Sequence, residues 1–551
     1  MAKVDANSIL KNGGNDALNS EFDRIDAESE EEFEKIEKQI EEEQAQKAKQ
    51  QNEKAAKDKA NKYKKLVNQI FYLPISDYDN ASRIIIFKGK YFRYNFDTDT
   101  WGIFENGVWK FTTSKNSALR PFFEELVELI DKNRERPPKM IHKPDGSIEN
   151  AEPDKVVDLQ KIAFGEKLIS NIKKTKNQNA AIEQAKGRKE IVIRQSDLDK
   201  NPMLLNVKNG VLDLETGRLY DAAPELLLTK QCNAVFNPRA NCPVFNQFMQ
   251  EIIPDDQTRA AVLRFLGYCL TGKVNEEKAL FVIGEGGNGK GTLFETIHYL
   301  LNDYATTFDV EVILRQRFSK NANAASPEIA KLCGVRFAYA PEIPAGREFD
   351  LATFKSLSGG DKITARPMYQ SPIIFDPSFK MLLSGQHFIK VENAHDVGFF
   401  RRFVPVIFDQ TFTGEKANIH LKEELRLADE LSGILNLLLD ECLKWQNSGL
   451  IMSDAMQKTR EEYIENNDFV ANFIDDNCEF GENQSVTRKD FLAALKREYP
   501  QARRFLDKQL IDMVQKNKDI IYNPRAGQKC TAVFFGISLK DKTTQGNLNF
   551  E

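Results

Sequence analysis

The run Ala279-Leu280-Phe281-Val282-Ile283-Gly284-Glu285-Gly286-Gly287-Asn288-Gly289-Lys290-Gly291-Thr292 decides the fold class. Five apolar residues read as a buried strand, and the pattern from Lys290 to Leu301 reads as a helix. Strand, glycine-rich loop and helix open a βαβ unit. The loop residues Gly284, Gly286, Gly287, Asn288, Gly289, Lys290, Gly291 and Thr292 let backbone N–H groups wrap phosphates, and the helix N-terminus adds a favourable dipole. Lys290 is in register to reach the β/γ-phosphates of ATP. One position departs from G-x-x-x-x-G-K-[ST]: Gly291 stands where a hydroxyl is expected, and Thr292 follows it. Thr292 is therefore assigned to Mg²⁺, directly or through water. A chance glycine-rich turn would not explain a strand before, a helix after and a lysine in register. The loop alone does not specify the second substrate, because Gly-Lys-Gly-Thr also suits small nucleotide kinases.

Downstream, Val335–Tyr339, Lys380–Leu383 and Phe403–Phe408 are further apolar runs. The segments between them are long enough for crossover helices, so an α/β domain is expected over 246–475, ending in helices that include Leu421–Trp445. Gly334-Val335-Arg336-Phe337-Ala338-Tyr339 leads into Ala340-Pro341-Glu342. A carboxylate there can orient a water beside a γ-phosphate. The metal-binding Asp usual before it is replaced by Ala340 and Pro341, so Glu342 must carry the acidic function, metal included; the bland alternative is a surface Glu after a strand. Then come Leu357-Ser358-Gly359-Gly360-Asp361, Ser384-Gly385-Gln386 and Phe400-Arg401-Arg402-Phe403. Each is weak alone, but their order and spacing after the phosphate loop are informative.

Ahead of this domain, 63–245 reads as a mixed α+β region. Arg83–Phe87, Tyr91–Tyr94, Gly102–Phe104 and Val108–Phe111 are strand-like, Asn106-Gly107 is a hairpin turn, and Ala118–Asn133 and Lys155–Lys173 are helical. Pro137–Asp154 reads as a loop. Met203–Val211 and Gly217–Tyr220 return to strand. Behind the domain, 476–540 shows two helical patterns, Thr487–Tyr499 and Ala502–Lys516. Two strands follow, Ile520–Tyr522 and Ala532–Ile537, around a basic turn. That is the pattern of a winged helix, with 541–551 as a tail.

The 551 residues carry a net charge of −5, which excludes a globally basic nucleic-acid coat. The charge is segregated. Residues 1–60 hold 10 basic and 16 acidic side chains, and residues 484–540 hold 12 basic and 5 acidic. Residues 1–62 read as an acidic, partly helical or disordered tail, with too few apolar positions after Ile40 for a coiled coil. The tail leaves no room for a catalytic domain of its own. No signal peptide or membrane span is expected, and the seven scattered cysteines suggest neither a disulfide framework nor zinc. A cytoplasmic location follows as the default.

Taken together, Gly-Asn-Gly-Lys, strand plus Glu342, Leu-Ser-Gly-Gly-Asp and Phe-Arg-Arg-Phe resemble the superfamily 3 helicases. These are an AAA+ branch, here of the phage, plasmid and poxvirus primase-helicase type. The chain looks most like the replication initiator helicases of staphylococcal pathogenicity islands. The resemblance runs from about Leu204 to Asp475, starts at Asn209-Gly210-Val211-Leu212-Asp213-Leu214, and reaches back to Trp101 and Trp109 in a collar-like domain. It implies a multi-domain α/β protein with an AAA+ P-loop ATPase motor between a mixed α+β N-terminal collar and a C-terminal winged helix. It also implies roles. Lys290 belongs to Walker A and Glu342 to Walker B. Gln386 stands where the family has a sensor Asn, and Arg401 or Arg402 is the finger that enters a neighbour's ATP site. Lys362, Arg366 and Tyr369 lie in the segment 362–370, where the family places its DNA-tracking hairpin. Core packing is the alternative for Tyr369. No primase activity is expected of this chain.

In the C-terminal module, Arg503, Arg504 and Lys508 fall in the second helical pattern, with Arg504 and Lys508 on one face. Arg525 and Lys529 flank the proposed wing tip. Together these are candidate phosphate contacts to duplex DNA, against the bland alternative of solvated charges. The expected function is an ATP-dependent hexameric DNA helicase and replication initiator of a mobile genetic element. It would use ATP and Mg²⁺, bind its double-stranded origin, and travel 3′→5′ on single-stranded DNA. Host or element replication proteins are possible partners for the tail. An origin binder with weak or regulatory ATPase and a P-loop small-molecule kinase are the alternatives.

Overall fold

A computed structural model describes residues 49–50, 53–112, 115–134, 140–142, 148–150, 158–315, 326–344, 347–369, 371–389, 391, 396–412, 418–515, 520–526 and 531–540. The fold is mixed α/β and multi-domain. The chain divides into two compact units, one formed by residues up to 102 and from 112 to 193, the other by 103–111 and from 194 onward. The division falls ahead of the boundary expected near 245.

In the first unit, helix α1 (Asp77–Lys88) is capped by the Ser76 side chain, which accepts from the Asp79 N–H. Strand β1 (Phe92–Asn95) follows. Strands β2 (Thr100–Glu105) and β3 (Val108–Thr112) form a hairpin. Its turn residues Asn106 and Gly107 both have positive φ, 52° and 80°, as a primed turn demands. Helix α2 (Arg120–Asn133), short strands β4 (Met140–His142) and β5 (Ile148–Asn150), helices α3 (Leu159–Ile172) and α4 (Thr175–Ala185), and strand β6 (Val192–Ile193) complete it. Strand β6 pairs parallel with β1. The core holds Ile84, Phe92, Trp101, Phe123, Leu126 and Leu168. Two expectations are corrected. Arg83–Phe87 lies inside α1, because Ala81 and Ile84 supply a helical buried face and Ser76 a helix start. The expected loop 137–154 contains the β4–β5 antiparallel pair.

The second unit opens with an antiparallel sheet of β7 (Leu204–Val207), β8 (Gly210–Asp213) and β9 (Arg218–Tyr220). Helices α5 (Pro243–Ile252) and α6 (Asp256–Tyr268) lead to the fully buried strand β10 (Ala279–Ile283) and helix α7 (Lys290–Leu301). Strands β11 (Ala305–Thr307) and β12 (Phe337–Ile343) follow, then helix α8 (Leu351–Ser358). Strands β13 (Ile363–Ala365) and β14 (Ile373–Phe375) form a separate antiparallel hairpin. Next come β15 (Lys380–Gly385), helix α9 (Val397–Phe400) and β16 (Phe403–Ile407). The central sheet has the order β11-β12-β15-β10-β16 and is parallel throughout. Two cores flank it. One joins Leu205, Phe245, Phe265, Leu293 and Leu382, so residues before 245 share a core with those after it. The other joins Phe281, Phe349, Phe354, Phe399 and Phe403.

Helices α10 (Ala428–Ser448), α11 (Asp454–Asn467) and α12 (Phe469–Asn477) precede the C-terminal elements. Those are β17 (Cys478–Thr487), α13 (Arg488–Glu498), α14 (Asp507–Val514), β18 (Ile521–Asn523) and β19 (Val533–Leu539). Strand β19 lies between β17 and β18, antiparallel to both. This corrects a further expectation: Ala502–Lys516 is not one helix. Pro500–Arg504 is a 3₁₀ turn and α14 starts only at Asp507, so Arg503 and Arg504 do not share a helix with Lys508. The backbone is extended at Phe505 and Leu506, which separates the 3₁₀ turn from α14.

Candidate active site

In a parallel sheet, ligands bind at the carboxyl ends of the strands, and the glycine-rich loop leaves β10 at that end. The Gly284 N–H donates to the Gly385 carbonyl at 3.1 Å, which fixes the loop's start against the end of β15. A Cβ on Gly284 would lie 2.2 Å from the Phe408 carbonyl oxygen. Gly289 has φ 85°, and a Cβ there would meet Ile252 Cγ2 at 2.5 Å. The loop is thus pressed between the end of β16 and helix α5. Helix α7 begins at Lys290 with no cap from Gly289; the Lys290 N–H donates to Asn288 Oδ1 at 3.4 Å, and a helix N-terminus of this kind favours an anion.

Lys290 is buried. Its Nζ donates to the Gly284 carbonyl, to the Glu285 carbonyl at 3.0 Å and to Asn288 Oδ1 at 3.0 Å. Burial lowers its pKa. An arriving phosphate would supply the negative charge that these carbonyls only partly provide. Asn288, itself buried, donates from Nδ2 to the Phe408 carbonyl at 3.2 Å, and Phe412 N–H donates to the Gly287 carbonyl at 2.7 Å. Thr292 is half-buried on the first turn of α7.

Glu342 is exposed at the carboxyl end of β12, on a bulge between Ala340 and Ile343, and Ile343 stands opposite Gly385. Bulges re-aim side chains, and Pro341 has no N–H to lose from the ladder. Gln386, exposed, directly follows Gly385. Loop, Glu342 and Gln386 therefore share one edge of the sheet. Among the described residues no group of three or more His, Cys, Asp or Glu could hold a metal. Mg²⁺ at a nucleotide site keeps several waters and takes one or two protein ligands besides phosphates. Thr292 and Glu342 are the candidates.

The arginines sit at the other edge. Phe403 pairs with Ala279 at the amino end of β10, four residues from Ile283. At 3.3 Å per residue that sets Phe403 roughly 13 Å from the carboxyl end of β10. Arg401 is exposed, whereas Arg402 is 6% exposed and donates from Nη1 to the Gly398 carbonyl at 2.8 Å. Burial lowers the Arg402 pKa.

Sequence reasoning missed one feature. A cavity of about 500 Å³ adjoins the loop, lined by Phe248, Ile252 and Phe412, by Gln247, Asn418 and Glu424 among the polar groups, and by Gly287, Gly289 and Thr292 of the loop and helix start. Apolar walls with a few polar groups suit a flat heterocycle beside the phosphates. Phe248 and Ile252 carry only the i, i+4 signal of a core face, and that signal cannot say which neighbour covers it.

The hairpin β13–β14 buries Ile363 and Ala365 and exposes Lys362, Arg366 and Tyr369. Tyr369 is 98% exposed with φ 59°, which excludes a place in the core. Ser326 N–H and Oγ pair with the Arg366 carbonyl and N–H at 2.8 and 2.9 Å, strapping the hairpin. In the C-terminal region Arg503 donates from Nε to the Lys496 carbonyl at 3.2 Å, and Lys508 and Arg525 are exposed. Lys529 and the Arg504 side chain lie outside the described residues, as do most of residues 1–62 and all of 541–551.

Comparison with known proteins adds the following. A family described as D5 N terminal like matches residues 81–254, and a family of unknown function matches 282–402. A protein of Acanthamoeba polyphaga mimivirus named as a helicase is 31% identical over 299 residues, 51% of this chain and 31% of its own length. One of Invertebrate iridescent virus 3, also named as a helicase, is 23% identical over 60% of this chain and 38% of its own. A protein of African swine fever virus named as a primase is 26% identical over 37% of this chain and 22% of its own. These matches support a primase-helicase family. The chain spans well under half the length of these relatives. Among solved structures, the NrS-1 C-terminal region superposes on 85% of this chain with a TM-score of 0.45 at 10% identity. Among the described residues no helix is long and apolar enough to cross a membrane.

Proposed function

We propose that the chain is an ATP-driven DNA helicase motor of the superfamily 3 AAA+ type that assembles as a ring, a hexamer by resemblance, and initiates replication of a mobile element at its own origin. The observation that carries the reading is the division of the central sheet. Lys290, Glu342 and Gln386 stand at its carboxyl edge, while exposed Arg401 lies two residues ahead of Phe403, which pairs with Ala279 at the amino end of β10. An arginine so placed does not serve its own subunit's phosphates, but in a head-to-tail ring it meets those of the next. In this reading the loop N–H groups and Lys290 hold the β/γ-phosphates. Glu342 orients the attacking water with Gln386 beside it, and Arg401 compensates charge developing on the transferred phosphoryl group. Mg²⁺, when bound by Thr292 and Glu342, adds further charge compensation. Arg402, being buried, is the anchor and not the finger.

The hairpin carrying Lys362, Arg366 and Tyr369 is assigned to single-stranded DNA, with cations on phosphates and the ring stacked on a base. The C-terminal region is read as a winged helix. The order helix, strand, two helices and two strands, with β19 between β17 and β18, supports this assignment. Arg503, Lys508 and Arg525 then contact origin phosphates. The tail is assigned to a replication partner.

The test is ATPase and strand-displacement assays on the full chain with and without single-stranded DNA. Wild type should hydrolyse ATP faster with DNA, and Lys290→Ala should lose both activities while still binding the origin. ATPase that persists in Lys290→Ala removes the mechanism. Because one relative is named as a primase, primer synthesis on a single-stranded template belongs in the same assay. Its appearance without unwinding would replace the helicase reading.

A further inference from the structure

Glu277 lies just before β10 and belongs to no motif. Its Oε2 accepts from two guanidiniums, Arg402 Nη2 at 2.7 Å and Arg401 Nη2 at 2.5 Å. The two arginines differ in setting, with side chains 8% and 59% exposed respectively. Arg402 is held from inside by the Gly398 carbonyl, so the carboxylate it binds is fixed too. The backbone reinforces this. Ala279 N–H donates to the Arg402 carbonyl at 2.8 Å, and Lys278 Nζ to the Arg401 carbonyl at 3.2 Å. Glu277 itself has φ 51°, a conformation that bulky side chains adopt only when their surroundings require it.

An exposed arginine is a long rotor, and a surface ion pair alone holds it weakly. Here the carboxylate is already immobilised by a buried partner, so less freedom remains to be lost when Arg401 binds it. One carboxylate between two guanidiniums also leaves a positive charge uncompensated, available to an incoming anion. We propose that Glu277 is a positioning residue that presents Arg401 outward, toward the nucleotide of an adjoining copy of this chain, with Arg402 as its internal anchor. This rests on the ring-ATPase reading above.

Subunit mixing in the full chain tests it. Glu277→Gln keeps the size of the side chain and removes its charge. Its kcat for ATP should fall about 10- to 100-fold, as a displacement of about 1 Å can cause, with KM for ATP nearly unchanged because its own loop is intact. Mixed with Lys290→Ala, which lacks the loop lysine but keeps Arg401, it should regain activity. Arg401→Ala is the control and should be rescued in the same way. Failure to rescue Arg401→Ala overturns the ring-ATPase reading. Rescue of Arg401→Ala with wild-type kcat in Glu277→Gln overturns the role of Glu277 alone, as does a loss in Glu277→Gln that mixing does not restore. If Glu277→Gln does not fold, Glu277→Asp, which keeps the charge but withdraws it by one methylene, is read by the same outcomes.

Discussion

A Cβ at position 284 would meet the Phe408 carbonyl oxygen at 2.2 Å and Asn288 Nδ2 at 2.3 Å, whereas at position 291 it would meet nothing within 4 Å. Two glycines of one loop are therefore predicted to behave oppositely. Gly284→Ala has to displace backbone at the end of β16, at about 1–3 kcal/mol, and should weaken ATP binding at least tenfold. Gly291→Ala, on the first turn of α7, should leave thermal stability unchanged or slightly raised. Nucleotide titration and melting curves on the two variants check the contrast, and equal behaviour would contradict the packing of the loop. Glu342 supplies a separate prediction. It is exposed and touches none of the loop's own hydrogen bonds, so Glu342→Gln should bind ATP normally yet lose turnover by about 10²–10⁴, the usual contribution of a positioned acid or base. Equal losses in binding and turnover would assign Glu342 to holding the nucleotide instead.

Helix α6 ends against two buried cations carried by neighbouring strands. Lys380 of β15 donates from Nζ to the Thr271 carbonyl, to Ser378 at 3.3 Å and to Lys273 at 3.4 Å, and lies 4.7 Å from the Tyr268 ring. Arg336, just before β12, donates to the Leu270 and Leu204 carbonyls and lies over Tyr304. Carbonyl oxygens at a helix C-terminus favour such charges. Burial nevertheless lowers the Lys380 pKa to about 7, from 10.5. Between those values the unfolded chain holds a proton that the folded chain does not. Stability should therefore rise with pH from 7 toward 10.5, by at most about 1.4 kcal/mol per unit, with this contribution lost as pH falls through 7. Denaturant unfolding of wild type and Lys380→Met at pH 7, 8 and 9 isolates the term, since the other titrating groups are common to both, and identical slopes would refute it. Strands β10, β15 and β16 were legible because their apolar runs are unbroken. Lys380 and Arg336 were not, because a cation at a strand's start reads as a solvated end until the helix above it is known. Arg83–Phe87 failed for a related reason. Three consecutive isoleucines favour a strand locally, but burial of Ala81, Ile84 and Arg83 on one side of α1 outweighs that preference.

Charge along the chain separates an acidic start from a basic end, with 12 basic against 5 acidic residues over 484–540. The glycine-rich loop after β10, the strand that ends at Glu342 and the paired arginines before β16 were legible as sequence runs, since each is contiguous. The cavity walls Phe248 and Phe412 and the bracket at Glu277 were not, because only the three-dimensional packing of distant segments assembles them. The limits of the basic region were also only partly legible. Its core contains Phe469, Val470, Phe473 and Ile474 together with Phe491, Leu510 and Phe534, so α12 packs with the strands and helices that follow it. A truncation at 476 would strip that apolar face bare, and insolubility would be mistaken for loss of function. Removal of 468–551 takes the whole core away and leaves α11 packed on β16. The truncated chain is expected to remain soluble and to hydrolyse ATP, but to lose sequence-specific affinity for its origin. In the full chain, Lys508→Ala and Arg525→Ala should each reduce the slope of log Kd against log salt by about 1, the signature of one lost phosphate contact. Unchanged origin affinity in the truncation, or unchanged slopes in both variants, would move origin recognition away from this region and leave its positive charge as solvated surface.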